Sequence, residues 1–86
     1  MPCTVEITKR AEKQLARINK PTAERIAQAV AALADDPRPN GCKKLVGDGR
    51  WRIRVGDYRI LYTIEDDKMI VTVVDVAHRR EIYRRR

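Results

Sequence analysis

Apolar and polar residues alternate strictly in residues 50–55, which read RWRIRV. In an extended strand, the apolar side chains of this segment lie on one face and its three arginines on the other. Two further segments rich in β-branched and aromatic residues follow at 58–62 and 69–76, and turns containing glycine or aspartate separate the three. The pattern predicts a three-stranded antiparallel meander.

The lengths of the turns predict which residues of this meander are cross-strand neighbours. A two-residue Gly-Asp loop after the first strand places Arg54 directly opposite Arg59, on the face away from the apolar residues. Like charges directly opposite each other destabilise a sheet, so we expect these arginines to act on an anion; the alternative is a solvated polar face. A two-residue Asp-Asp loop after the second strand would place Val74 opposite Arg59 and bring His78 to the arginine side.

The first part of the chain carries the pattern of one strand and two helices. Alternation at residues 3–7 predicts a strand, and Thr8 is suited to cap the helix that follows it. Residues 9–19 carry apolar side chains at i, i+4 and i+7, and Pro21 suits the first position of a second helix. The apolar stripes are Ala11, Leu15 and Ile18 in the first helix, and Ala23, Ile26, Val30 and Leu33 in the second.

These elements predict an α+β fold of the order β-α-α-β-β-β. We expect the two helices to form a hairpin packed on one face of a mostly antiparallel four-stranded sheet, in a single domain spanning residues 1–86. The opposite face would be free for a ligand and would carry Arg52, Arg54 and Arg59. The apolar face would carry Trp51, Ile53, Val55, Ile60, Tyr62, Ile64, Val71 and Val73.

The charge balance favours a polyanionic partner. Lys and Arg number 19 against 12 Asp and Glu, which gives a formal net charge of +7 and a pI of about 9.9. Nucleic acid, an acidic protein and an anionic membrane surface all fit such a surplus. No apolar run approaches the roughly 20 residues of a spanning helix, and no charged-then-apolar leader is present, so we expect a cytoplasmic protein.

The sequence offers little to a metal or a cofactor. Cys3 and Cys42 stand at no metal-ligand spacing, His78 is the only histidine, and a closed zinc site needs four suitable ligands. A phosphate-binding glycine loop and a G-x-S-x-G motif are also missing. We therefore expect no cofactor and no membrane association. Two free thiols are expected, and a disulfide between Cys3 and Cys42 is the alternative.

The arginines point to phosphate chemistry. Guanidinium groups bind phosphate bidentately and stabilise charge developing on it, but they cannot act as the base. A proton acceptor must come from elsewhere, and Tyr83 and His78 are the candidates near the arginines. RNA supplies its own nucleophile, the 2′-hydroxyl, so transesterification without a metal is possible in principle. The same residues could also bind RNA or an acidic protein and catalyse nothing. Lys43 and Lys44 are either surface charges or phosphate contacts.

Particular runs of residues resemble the RelE branch of the RelE/ParE toxin superfamily. They are the run YRILY at 58–62, the acidic turn and Val/Ile-rich strand after it, and the run HRREIY at 78–83. The resemblance covers nearly the whole chain, including the two amphipathic helices and the loop before Lys43 and Lys44. No single piece is decisive, but the two runs together are fairly specific.

The resemblance implies a RelE-like fold and a type II toxin that enters the ribosomal A site and cleaves the mRNA there. In that family the 2′-hydroxyl attacks the adjacent phosphate, and no metal takes part. The implied partners are the 30S A site, the mRNA and a RelB-like antitoxin, which blocks the toxin. Operator DNA would be bound only indirectly, through the antitoxin complex.

The resemblance also implies roles for individual residues. Arg59 and Arg79 match the arginines that hold the phosphate and stabilise the transition state, and Tyr83 matches a tyrosine that stacks on or deprotonates the nucleotide. His78 is the second candidate for proton transfer. The residues expected to contact RNA or phosphate are Arg52, Arg54, Arg80, Lys43 and Lys44.

One departure from the family pattern leaves the general base open. Arg52 and Arg54 stand where the best-studied pattern has two lysines, and a lysine-type base role cannot pass to an arginine. The same fold also serves ParE-like toxins, which inhibit DNA gyrase and generally lack the terminal His-Arg-Arg-x-x-Tyr cluster. A ParE-like gyrase inhibitor is therefore the second hypothesis for the function, and a non-catalytic basic binding module is the third.

Overall fold

The protein forms an α+β fold in which two helices pack on a five-stranded sheet. The computed structural model describes residues 2–47 and 49–80. The predicted order of helices and strands is confirmed, with one addition, a two-residue strand before the meander. The elements are β1 (Thr4–Ile7), α1 (Lys9–Ala16), α2 (Lys20–Ala32), β2 (Lys43–Lys44), β3 (Trp51–Val55), β4 (Tyr58–Glu65) and β5 (Ile70–His78).

Side chains cap both helices. The hydroxyl of Thr8 accepts a hydrogen bond from the Ala11 amide at 3.2 Å, as predicted for an N-cap. Helix α1 ends at Ala16, earlier than predicted, because the chain must become extended at Asn19 to cap α2. The Asn19 side chain accepts from the Thr22 amide at 3.0 Å, which leaves Pro21 in the first turn of α2.

The strand order in the sheet is β1-β5-β4-β3-β2, and only the pairing of β1 with β5 is parallel among the described strands. The predicted hairpin between β3 and β4 is confirmed: Val55 pairs with Tyr58, and Arg54 lies directly opposite Arg59. Gly56 opens the two-residue turn with φ of +58°, a left-handed conformation that suits glycine.

The predicted register between β4 and β5 is wrong. Residue Ala77, not Val74, lies opposite Arg59. The loop between β4 and β5 has four residues instead of two, since Glu65 pairs with Ile70. This change alone moves the partner of Arg59 by two positions along β5, which keeps the partner on the same face of the sheet. A β-bulge adds one further residue, and a one-residue slip moves every later side chain to the other face.

The core lies between the helices and the predicted apolar face of the sheet. Ile26, Ile60, Tyr62, Val71 and Val73 have no exposed surface. The predicted sheet face is confirmed, although Trp51 and Ile64 are only partly buried. The helices contribute Ala11, Ile26, Val30 and Leu33 to the buried cluster, with Leu15 and Ile18 packed partly against it.

The loop between α2 and β2 has no periodicity, but side chains attach it to the sheet. The Tyr62 hydroxyl donates to the Pro37 carbonyl at 2.7 Å, and burial raises the pKa of Tyr62, which keeps this hydroxyl protonated. Arg38 forms a bidentate pair with Asp66, at 2.9 and 3.1 Å, and its guanidinium lies 5.0 Å from the centroid of the Trp51 ring. These contacts attach the loop to β3, to β4 and to the turn after β4.

Candidate functional site

Three arginines meet in a cleft at the turn end of the β3–β4 hairpin. Arg54 comes from β3, Arg59 from β4 and Arg79 from the residue after β5. The cleft has a volume of about 130 Å³, and we call it the arginine cleft. Its lining residues are Arg54, Gly56, Asp57, Tyr58, Arg59 and Arg79.

The hairpin turn holds the third arginine in place. The Arg79 amide donates to the carbonyl of Asp57 at 2.8 Å, so the end of β5 is tied to the loop between β3 and β4. Arg54 and Arg59 are already side by side, because they are directly opposite in the hairpin. Within the described residues, none of these three arginines forms an ion pair. The cleft therefore concentrates positive charge that an anion would neutralise.

Arg52 extends the positive charge of the cleft into the protein. The prediction placed Arg52 on a free face, but it is only 9% exposed. Burial lowers the pKa of its guanidinium, and the charges of Arg54 and Arg59 lower it further. The Nε atoms of Arg52 and Arg59 are both buried without a hydrogen-bond partner within the described residues. An unpaired buried donor is costly, and the mutual repulsion of these arginines adds to that cost. An anion bound in the cleft beside Arg59 would reduce the repulsion.

The structure separates the two lysines that precede the meander. Lys43 lies opposite Arg52, which places it on the arginine face of the sheet. Lys44 lies opposite Trp51, and its ammonium is 5.8 Å from the centroid of that ring, on the other face. Only Lys43 is thus placed to extend the arginine face.

Comparisons with known proteins agree with this fold. The family model described as "ParE toxin of type II toxin-antitoxin system, parDE" matches residues 5–83. Toxin RelG of Mycobacterium tuberculosis is 34% identical over 88 residues, covering 99% of this chain and 100% of that protein. The chain belongs to the RelE/ParE superfamily of type II toxins.

Solved structures place the toxin on the RelE side of this superfamily. The archaeal RelE–RelB complex of Pyrococcus horikoshii matches with a TM-score of 0.83 and 27% identity, over 92% of this chain and 97% of that one. The toxin–antitoxin complex RelBE2 of Mycobacterium tuberculosis matches with a TM-score of 0.80 and 28% identity, over 91% and 99%. The RelE-like fold of the toxin is therefore shown.

His78 does not project from the arginine side of the toxin as predicted. It lies opposite Tyr58, on the face of the core, and its ring meets the Tyr58 ring edge-on at 5.2 Å. Its Nδ1 accepts the amide of Arg80 at 3.2 Å, so His78 caps the turn after β5. The imidazole borders a second cavity, which shares Asp57 and Arg79 with the arginine cleft and also includes Arg80.

Two further residues complete the account of the candidate site. Tyr83, predicted to act on the nucleotide, lies outside the described residues. Asp57 was missed as a site residue, because the Gly-Asp pair was interpreted only as a turn. It is the one acidic residue lining the arginine cleft among residues 2–47 and 49–80. Its position between two arginines in a short loop was the available signal in the sequence.

The described part of the toxin contains neither a candidate metal site nor a membrane-spanning helix. Within it, no group of three or more His, Cys, Asp or Glu side chains is arranged to hold a metal ion. None of its helices is long and apolar enough to cross a membrane. Both cysteines in the sequence are free thiols.

Proposed function

We propose that this toxin is a ribosome-dependent endoribonuclease that cleaves mRNA in the ribosomal A site. The observation that carries the proposal is the arginine cleft: Arg54 lies directly opposite Arg59, and Arg79 is held beside both. Like-charged neighbours that form no ion pair, as these arginines do not within the described residues, destabilise the free protein. Such an arrangement is explained by an anionic ligand, and a phosphodiester matches the bidentate geometry of guanidinium groups.

The reaction is an internal transesterification of RNA. The 2′-oxygen attacks the neighbouring phosphorus, the bond from phosphorus to the 5′-oxygen breaks, and the products are a 2′,3′-cyclic phosphate and a 5′-hydroxyl. The 2′-hydroxyl loses its proton to a base, and the leaving 5′-oxygen gains one. Arg54, Arg59 and Arg79 bind the non-bridging oxygens and stabilise the negative charge that develops there. Arg52, Lys43 and Arg80 attract the neighbouring phosphates.

Proton transfer is assigned to Tyr83, with His78 as the alternative. Because Nδ1 of His78 accepts the Arg80 amide, the neutral ring carries its proton on Nε2. In this arrangement His78 can donate a proton to the leaving 5′-oxygen but cannot take one from the 2′-hydroxyl. The Asp57 carboxylate is a further acceptor at the edge of the same cleft. The arginines themselves stay protonated and bind charge instead of moving protons.

The proposed partner is a RelB-like antitoxin. Crystal structures of RelE toxins similar to this chain, from Pyrococcus horikoshii and Methanococcus jannaschii, contain the toxin in complex with RelB. A net charge of +7 favours an acidic antitoxin, and a segment that folds on binding can cover a large part of a small toxin. The toxin would act in the cytoplasm, at the 30S A site, and would meet operator DNA only through the antitoxin.

Inhibition of DNA gyrase is the second candidate function. The matching family model is described as a ParE toxin, and this favours the alternative. The arginine cleft and the terminal His-Arg-Arg-x-x-Tyr run favour the nuclease. A basic module that only binds an acidic partner would use the same charges without catalysis.

Toeprinting on translating ribosomes separates these functions. The nuclease produces truncated mRNA with the 3′ end in the A site, whereas a gyrase inhibitor leaves the mRNA intact and blocks supercoiling in a parallel assay. End-group analysis should find a 2′,3′-cyclic phosphate on the upstream fragment. Intact mRNA together with inhibited supercoiling would establish the ParE-like function instead.

A further inference from the structure

A β-bulge in β5 determines which side chains reach the arginine cleft. Tyr62 lies opposite Val73, but the preceding residue of β4, Leu61, lies opposite Asp75, so Val74 has no partner in β4. A bulge of this kind inserts one residue and reverses the alternation of all the side chains after it. The bulge begins where the parallel strand β1 ends, since the last pair between those strands is formed by Ile7 and Val73.

The reversal places Arg79 beside the other two arginines. With the bulge, Ala77 lies opposite Arg59, and Arg79 follows two residues later at the arginine cleft. Without it, the register of the first half of β5 would continue, and Ala77 would lie opposite Tyr58 on the core face. Arg79 would then leave the sheet on the side away from Arg59. The cleft thus depends on the bulge, which lies several residues away from it.

A side chain of α1 clamps the bulge. The Gln14 Oε1 accepts the Val76 amide at 2.7 Å, and the Gln14 Nε2 donates to the Asp75 Oδ1 at 2.7 Å. Arg10, one turn earlier in α1, places its Nε 3.4 Å from the same Asp75 oxygen. Gln14 therefore binds the two residues that follow the bulged Val74: the side chain of Asp75 and the backbone of Val76.

Both groups bound by Gln14 require a partner. Asp75 is only 5% exposed, and a carboxylate buried to that extent must be hydrogen-bonded or paired. The Val76 amide lies beyond the last residue that β1 pairs, and a backbone donor without a partner is costly when buried. Replacing Gln14 would leave the bulge without these bonds and would favour the regular register.

We propose that Gln14 is a positioning residue of the arginine cleft, which acts by holding the bulge that places Arg79 beside Arg54 and Arg59. The proposal rests on the proposed function only in requiring that the cleft bind phosphate. Gln14 itself touches no substrate. Its effect is transmitted through Asp75 and Val76 along a few residues of β5.

The proposal is tested with one disrupting variant, one matched control and one double variant, which is compared with its two single changes. Gln14→Leu keeps a side chain of similar size and removes both hydrogen bonds. Gln28→Leu makes the same change on an exposed position of α2 and serves as the matched control. The double variant Gln14→Glu with Asp75→Asn exchanges the donor and acceptor groups: the glutamate still accepts from Val76 and now accepts from the asparagine amide as well, at unchanged net charge.

The experiment follows two quantities in the isolated toxin. The first is the hydrogen-exchange rate of the Val76 amide, which should rise in Gln14→Leu and return toward the wild-type rate in the double variant. The second is the affinity for inorganic pyrophosphate, followed through the Nε–H signals of Arg59 and Arg79. Gln14→Leu should bind about tenfold more weakly, the loss expected when one charge-assisted contact is misplaced. The double variant should bind better than either of its single changes, and Gln28→Leu should match the wild type.

The outcomes are distinguishable from a failure of the proposed function. If Arg59→Ala binds pyrophosphate as well as the wild type, the cleft is not a phosphate site and both proposals fall. If Arg59→Ala weakens binding but Gln14→Leu does not, while Val76 exchanges faster, Gln14 has no positioning role. If Gln14→Leu does not fold, the double variant decides: binding no better than that of the single changes Gln14→Glu and Asp75→Asn would refute the clamp.

Discussion

Neutralising one arginine of the hairpin should make the free toxin more stable and less functional. Arg54 is the suitable position, since it is exposed and lies directly opposite Arg59. Its charge also acts on Arg52, whose guanidinium pKa is lowered by burial and lowered further by Arg54. The perturbation is Arg54→Gln, which removes the charge and keeps a polar side chain of moderate length. Arg54→Lys, which keeps the charge, is the matched control.

The size of the gain follows from the like charges around Arg54. A like-charged pair directly opposite in an antiparallel sheet costs on the order of 0.2–1 kcal/mol. The charges of Arg52 on the same strand and Arg79 in the cleft add to this repulsion. Arg54→Gln should therefore raise the free energy of unfolding by about 0.2–1 kcal/mol through the pair with Arg59 alone. For a domain of this size, 1 kcal/mol corresponds to a rise in Tm of roughly 4–8 °C.

Urea denaturation at low and high salt measures this gain. The difference between Arg54→Gln and the wild type should shrink as salt screens the charges, and phosphate should stabilise the wild type more than the variant. Arg54→Lys should stay close to the wild type. A decrease in stability of Arg54→Gln at low salt would refute the reasoning, because the cluster would then not be repulsive in the free protein.

Three other predictions concern the core, the loop and the proton acceptor. Ile53→Ala should lower the free energy of unfolding by about 2–5 kcal/mol, measured by urea denaturation, because Ile53 is 7% exposed in the core; an unchanged midpoint would contradict this packing. The hydrogen bond from Arg38 lowers the pKa of Asp66, so the pair should stabilise the folded protein above the unfolded-state pKa of Asp66. This stability should be lost as the pH falls through the lower folded-state pKa. Asp66→Asn should flatten that part of the curve of unfolding free energy against pH, and an unaltered curve would argue against the pair. Tyr83→Phe should slow cleavage about 10²–10⁴-fold if the hydroxyl transfers a proton, measured in single-turnover assays with ribosome binding intact; if Tyr83 only stacks, Tyr83→Phe should be nearly silent and Tyr83→Ala severe.

Local patterns predicted most of the fold. The alternation at residues 50–55 and the two-residue Gly-Asp turn correctly placed Arg54 opposite Arg59, because hairpin register follows from turn length. The N-cap formed by the Thr8 hydroxyl and the apolar stripe of Ile26 and Val30 were also predicted correctly, because both are defined by residues three or four positions apart. These features depend on short-range geometry, which periodicity reports directly.

The errors came from long-range contacts. Gln14 binds the two residues after the bulge, Asp75 and Val76, from 61 and 62 residues away in sequence, and no local pattern in β5 predicts the bulge. The misplaced register then put His78 on the wrong face. Arg52 was predicted to be exposed because strand alternation identifies a face of the sheet but does not show how deeply a side chain on that face is buried.

Single-turnover cleavage of A-site mRNA on programmed ribosomes tests the central claim most directly. The wild-type toxin should cleave and leave a 2′,3′-cyclic phosphate, and Arg59→Ala should slow the reaction about 10²–10³-fold, as when one donor to a developing negative charge is lost. Arg25→Ala, which removes an exposed arginine of α2 outside the cleft, should cleave at the wild-type rate. Wild-type toxin that binds the ribosome and cleaves nothing, or Arg59→Ala that cleaves as fast as the wild type, would contradict the account.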